Sequence, residues 1–157
     1  MPENPYGKYV EGRDLIGSLG ETPERIAAIA GRWSEDAYER SYAPGKWTAR
    51  QILIHLAQAE LVFSTRVRFA LAEPGYVIQP FDQDPWIALE TQPSGPEALA
   101  AYLALRRFSL PLWRALTPEQ RTHRFMHPER GEIDVNWLLT LIAGHELNHL
   151  PQLEAIQ

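Results

Sequence analysis

Cysteine is absent from this chain of 157 residues, which removes zinc-finger sites, a cysteine nucleophile and internal disulfides together. Any thiol chemistry would need a thiol brought from outside. An excess of positive charge is also missing: 15 Lys and Arg stand against 20 Asp and Glu, a net charge of −5. That balance argues against general affinity for phosphate backbones, so a small, uncharged or modestly charged substrate is expected and nucleic acid is not. No apolar run approaches the roughly 18 to 20 residues of a membrane span. The start, Met1-Pro2-Glu3-Asn4-Pro5, lacks a basic segment followed by an apolar one. These two absences lead us to expect a cytoplasmic protein with no membrane contact. Alternation of apolar and polar residues is missing over any useful length, as are repeats and low-complexity tracts, so the chain reads as all-α. A single domain over residues 1–157, with 1–21 as an N-terminal arm, can bury a core without a metal or disulfide staple. A bound metal would then serve function rather than folding.

Four helices are expected. Thr22-Pro23-Glu24 resembles an N-cap followed by proline at the first helical position, opening a helix to about Tyr38. Thr48 and Gln51 form a capping box with Trp47 and Ile52 as its hydrophobic staple, starting a second helix that runs to about Leu71. Ser94 and Glu97 repeat that spacing, and Pro96 opens a third helix to about Leu116, with Pro111 expected to kink or break it. Asp134 caps a fourth. The short first link makes helices one and two antiparallel neighbours. The long crossing of residues 72–94 lets helix three run parallel to helix two, after which helix four returns antiparallel to both.

What is present most tellingly is His145-Glu146-Leu147-Asn148-His149. Histidines four apart share a helix face and can share a metal ion, but zinc and its neighbours normally take at least three protein ligands. Read as H-E-x-x-H, the motif is that of zinc metalloproteases, with Glu146 as general base. Such enzymes complete the site from downstream, yet only eight residues of this sequence follow His149, the position six beyond it is Ala155, and Glu154 lies about 140° around the helix. The third ligand is therefore sought upstream. His55 lies on the apolar face shared by Ile52, Leu56, Ala59 and Phe63, seven residues after its cap, about 10 Å from the helix start at about 1.5 Å per residue. His149 lies about 12 Å from the end of its helix on the same measure, so antiparallel packing brings the three to one depth. Three inward imidazoles without a common partner leave several buried nitrogens uncompensated, whereas one divalent cation accepts all three. His55, His145 and His149 are the candidate metal ligands.

Other residues compete for roles. Glu146 is about 60° from His149 and is the candidate catalytic base, against a plain rim carboxylate facing solvent or a partner. Glu60 is on the wrong side for ligation and is expected to pair at the surface or a helix interface. His123 and His127 sit among Arg121, Arg124, Pro128 and Gly131, a loop composition, with His127 near the site mouth as an outside candidate. Gln79 to Trp86, containing Asp82 and Asp84, could form part of a substrate lid, although ordinary loop packing is the preferred account. The five tryptophans are assigned to core or interface.

Gly45-Lys46-Trp47-Thr48 leading to Ile52-Leu53-Ile54-His55-Leu56 and Ala59-Glu60, with His145-x-x-x-His149-x-x-Gln152 after the 127–132 approach, resembles the pattern of the DinB/YfiT-like superfamily over roughly residues 22–157. The resemblance implies a four-helix bundle of up-down-down-up topology, a divalent metal on His55, His145 and His149, and a homodimer. It also implies a metal-dependent transferase or hydrolase, in some members dependent on a low-molecular-weight thiol. Pro151 departs from the pattern; it removes an N–H that would bond to the carbonyl of Leu147, and so puts the role of Gln152 in question. The leading expectation is an enzyme in which three neutral imidazoles leave the cation's charge to polarise a small substrate or lower the pKa of a coordinated water or thiol. A non-catalytic metal- or ligand-binding protein is the alternative, and H-E-x-x-H proteolysis is disfavoured. The sequence does not choose among zinc, nickel, iron and manganese.

Overall fold

In the computed structural model, residues 1–156 are described. The chain folds as α1 (Gly7–Val10), α2 (Leu15–Ala30), α3 (Glu35–Tyr38), α4 (Ala49–Ala72), α5 (Gln83–Leu89), α6 (Gly95–Ala115), α7 (Pro118–Arg121), β1 (Arg124–His127), β2 (Gly131–Asp134) and α8 (Val135–Glu154). The four long helices form the bundle. Capping sets three of their starts as the sequence indicates: Thr48 with Gln51 and Ser94 with Glu97 form complete capping boxes, and the Asp134 side chain accepts from the Trp137 N–H.

Helix directions follow from cross-bundle contacts. Arg25 in the C-terminal half of α2 pairs with Glu154 at the end of α8, so these two are parallel. Arg50 at the start of α4 donates to carbonyls of Thr91 and Pro93 just before α6, and Arg68 near its end lies over Phe108, so α4 and α6 are parallel. His55 early in α4 meets His149 late in α8, which makes that pair antiparallel. Up-down-down-up is the result. α4 packs against α6 and α8, and α2 against α8 and α6.

Several expectations need correction. The first long helix begins at Leu15, capped by Asp14, and Thr22-Pro23 lies inside it with Thr22 buried. Pro23 has no N–H for the Leu19 carbonyl, and Arg106 Nη1 supplies the donor at 2.7 Å, which offsets the usual cost of an interior proline. Residues 15–21 of the supposed arm are therefore bundle. That helix also ends early, at Ala30, whose carbonyl accepts from the Tyr38 hydroxyl at 2.8 Å. Residues 31–48 then cross the bundle end, so α2 and α4 are antiparallel but lie across its diagonal instead of side by side. Finally, residues 124–134 are a hairpin, with Phe125 opposite Ile133 and His127 opposite Gly131, whose φ of +81° suits the turn. Strands of four residues are too short to print a period-two signal. Pro111 does not end α6, which continues to Ala115.

The core has two lobes. One gathers Phe63, Trp113, Phe125, Leu138 and Ile142; the other gathers Ile26, Ile52, Leu53, Tyr102 and Leu153. Buried Glu60, Arg106 and Glu146 add a layer of charge to this apolar interior.

Candidate metal centre

α4 and α8 carry the site, and their antiparallel packing brings the three histidines to one depth. His55 Nε2 lies 2.8 Å from His145 Nε2, which lies 3.2 Å from His149 Nε2. All three residues are buried, and their ligand atoms lie within 4.8 Å of one another. Nitrogens bound to one ion at about 2.0–2.1 Å stand about 2.9 Å apart at right angles and about 3.3 Å apart in a tetrahedron. The two spacings fall at or close to those values.

Proton accounting agrees with that geometry. Gln152 Oε1 faces His149 Nδ1 at 2.8 Å, and an amide oxygen only accepts, so Nδ1 carries the proton and Nε2 turns a bare lone pair inward. α8 runs through Pro151 to Glu154 despite the lost N–H, and this is what keeps Gln152 in register with His149. Burial, then the neighbouring His149, lowers His55 to about 3. Burial followed by the other two imidazoles holds His145 well below its ordinary value, and burial lowers His149 against the opposing bond to Gln152. The rings are therefore neutral near pH 7. Neutral imidazoles with converging nitrogens are the donor set a borderline divalent cation takes.

Aromatic rings wall the cluster. Phe81, from the long crossing, stacks on His55 at 6.4 Å and 7°, and Trp86 meets Phe81 edge-on. Trp47 leans on His55 at 5.0 Å, and Phe63 and Tyr6 present edges to His145. Tyr6 reaches it because Gly144 lacks a Cβ, which would collide with the Tyr6 backbone. Asn4 and Tyr9 fasten the same segment to Trp137 and Asn148 of α8. A cavity of about 590 Å³ opens beside His55 and His145, lined also by Arg66, Asp82, Asp84, His127, Glu129 and Arg130.

Glu146 does not share this cavity. Its carboxylate accepts from Arg106 Nη1 at 2.9 Å and from Nη2, and Nη2 also donates to Glu60 at 2.7 Å. Burial lifts the Glu146 carboxyl up to about 7 against the pull of Arg106. Burial opposes the Arg106 charge too, but the two carboxylates hold its pKa above the ordinary value. The general-base role suggested by spacing is corrected: the side chain is spent on a buried ion triad. Glu60 belongs to that triad at a helix interface. His127 lines the cavity from the end of β1, whereas His123 precedes the hairpin and is not among the lining residues. Neither Tyr6, Phe81 nor Arg66 is singled out by the sequence, although Phe81 falls within the 79–86 segment read as a possible lid, whose residues 80–84 line the cavity. The first two reach the site from irregular segments, and Arg66 carried only its periodicity with His55 along α4.

The family profile of the DinB superfamily matches residues 18–153. A protein of Oceanobacillus iheyensis named "putative metal-dependent hydrolase" is 30% identical over 144 residues, covering 91% of this chain and 84% of the relative. A Bacillus subtilis protein of the same description, YfiT, is 29% identical, with 93% and 88% covered. The solved structure of YfiT, described as "a probable metal-dependent hydrolase with an unusual four-helix bundle topology", superposes with a TM-score of 0.82 at 26% identity, over 90% of this chain and 83% of that one. Among the described residues, no helix is long and apolar enough to cross a membrane.

Proposed function

Since the chain belongs to the DinB superfamily, we propose that it is a metal-dependent enzyme acting on a small molecule, by hydrolysis or by transfer to an external thiol. The observation that carries this reading is the convergence of three neutral imidazole nitrogens, from His55, His145 and His149, beside an open cavity. A divalent ion held there supplies Lewis-acid polarisation of a substrate oxygen and activation of water or thiol. Gln152 fixes the His149 tautomer, Phe81 and Trp47 keep water from the outer faces of His55, and the cavity orients the substrate. The names of the relatives favour hydrolysis. Because the chain has no cysteine, transfer to sulfur would need an external thiol. Proteolysis by the H-E-x-x-H route loses its base, since Glu146 is bound to Arg106.

The test is elemental analysis of untagged protein, with about one divalent ion expected per chain and none in His149→Ala. Full metal retention by that variant would contradict the assignment. Turnover of an activated ester or alkyl halide, with and without an added thiol, separates water from sulfur as the acceptor.

A further inference from the structure

Among the described charged residues lining the cavity, Arg66 alone is buried, at 6% exposure, while Asp82, Asp84, Glu129 and Arg130 are exposed. Its Nη2 donates to the Gln79 carbonyl at 2.6 Å, but its buried Nε has no hydrogen-bond partner. No carboxylate among the described residues stands within ion-pair range of it. A guanidinium taken out of water with one carbonyl, the face of the Phe63 ring and only the longer-range charges of Tyr76 and exposed Glu129 to offset its burial is a costly arrangement, which an anionic ligand would relieve. The contrast within the molecule is informative: buried Arg106 has two carboxylates, and buried Arg66 has none.

Its placement relates it to the metal centre. Arg66 is eleven residues beyond His55, about 20° around α4 and about 16 Å along it, and helical side chains lean toward the N-terminus, here toward His55. Its guanidinium lies 5.4 Å from the Phe63 ring, which in turn meets His145 edge-on. His127 and Arg130 line the same cavity. The Nδ1 of His127 accepts from the Glu129 N–H, so its neutral ring keeps the other nitrogen as a donor. From these observations we infer that Arg66 is the specificity determinant of the cavity, binding a single oxyanion group, carboxylate or phosphate, at the far end of a substrate whose reacting bond lies at the three histidines. The exposed Asp82 and Asp84 on the rim disfavour diffuse polyanions, so the ligand carries its charge at one end. This inference rests on the proposed metal centre only for what lies at the other end of the substrate.

The experiment titrates glutarate and inorganic phosphate by calorimetry into the zinc-loaded full chain, Arg66→Gln, Arg66→Lys and His149→Ala. Saturable binding of one probe is expected, and which one binds identifies the group. Arg66→Gln should weaken it at least about tenfold, and Arg66→Lys by a smaller factor, since lysine keeps the charge but not the fork. His149→Ala should lose metal and keep the anion, so failure of the metal reading and failure of this one look different. In the unmutated chain the bound probe should protect Arg66 from phenylglyoxal, read by peptide mass spectrometry. Equal affinity in Arg66→Gln, no saturable binding of either probe, or modification of Arg66 unchanged by the probes would each overturn the inference.

Discussion

One amide oxygen, on Gln152, decides which nitrogen of His149 faces inward. Outer partners of ligating histidines commonly contribute about 10–100-fold in metal affinity, so Gln152→Leu should weaken zinc binding by that order in a competition titration. Unchanged affinity would show that the tautomer is set elsewhere. The same imidazoles make the metal-free protein acid-sensitive. His55 has a folded pKa of about 3 against an ordinary value of 6.5, so the unfolded chain takes up the proton first. Its contribution is complete above pH 6.5 and is lost as pH falls from there toward about 3. Melting of chelator-treated protein should fall over that window, and less steeply in His55→Leu; equal slopes would contradict the burial of a neutral imidazole. Arg106 makes a third test. Arg106→Met leaves Glu60 and Glu146 buried without a cation and should cost about 3–5 kcal/mol by denaturant unfolding. Folded Glu146→Gln should keep its metal, because Glu146 serves the triad and not the centre.

At the scale of the element, two antiparallel helices with good caps do most of the positioning. Thr48→Ala should cost about 1 kcal/mol, measured by chemical denaturation, through loss of the α4 capping box that sets the register of His55. Gly144→Val should displace the segment around Tyr6 from α8 and expose it to limited proteolysis, with the bundle intact. Resistance equal to the parent's would show that the close approach is not needed. These elements also explain what could be read from the chain alone. Capping boxes at Thr48 and Ser94 and the i, i+4 histidines are local signals, and they placed α4, α6, α8 and the three imidazoles. Thr22-Pro23 carried the same local signature and misled, because the donor that makes an interior proline tolerable comes from Arg106, 83 positions beyond Pro23 in the chain. The Glu146 role failed for a similar reason: helical angle says which way a side chain leaves its helix, not which distant guanidinium awaits it. Tyr6 and Phe81 come from segments without periodicity, and only the fold reveals their contacts with the site.

For the molecule as a whole, topology and chemistry depend on each other. Parallel packing of α4 and α6 requires the long crossing, and the crossing lays Phe81 on His55 and places α5 at the cavity. Antiparallel packing of α4 and α8 makes the depths of His55 and His149 agree. With α4 and α8 parallel instead, those depths would differ and the cluster would be lost. The most direct measurement of the central claim is anomalous diffraction at the metal edge from crystals of the untagged protein. The account predicts one peak, bonded to the Nε2 atoms of His55, His145 and His149 at about 2.0–2.2 Å, with open coordination toward the cavity. A peak elsewhere, or a metal that leaves His55 unbound, would contradict it.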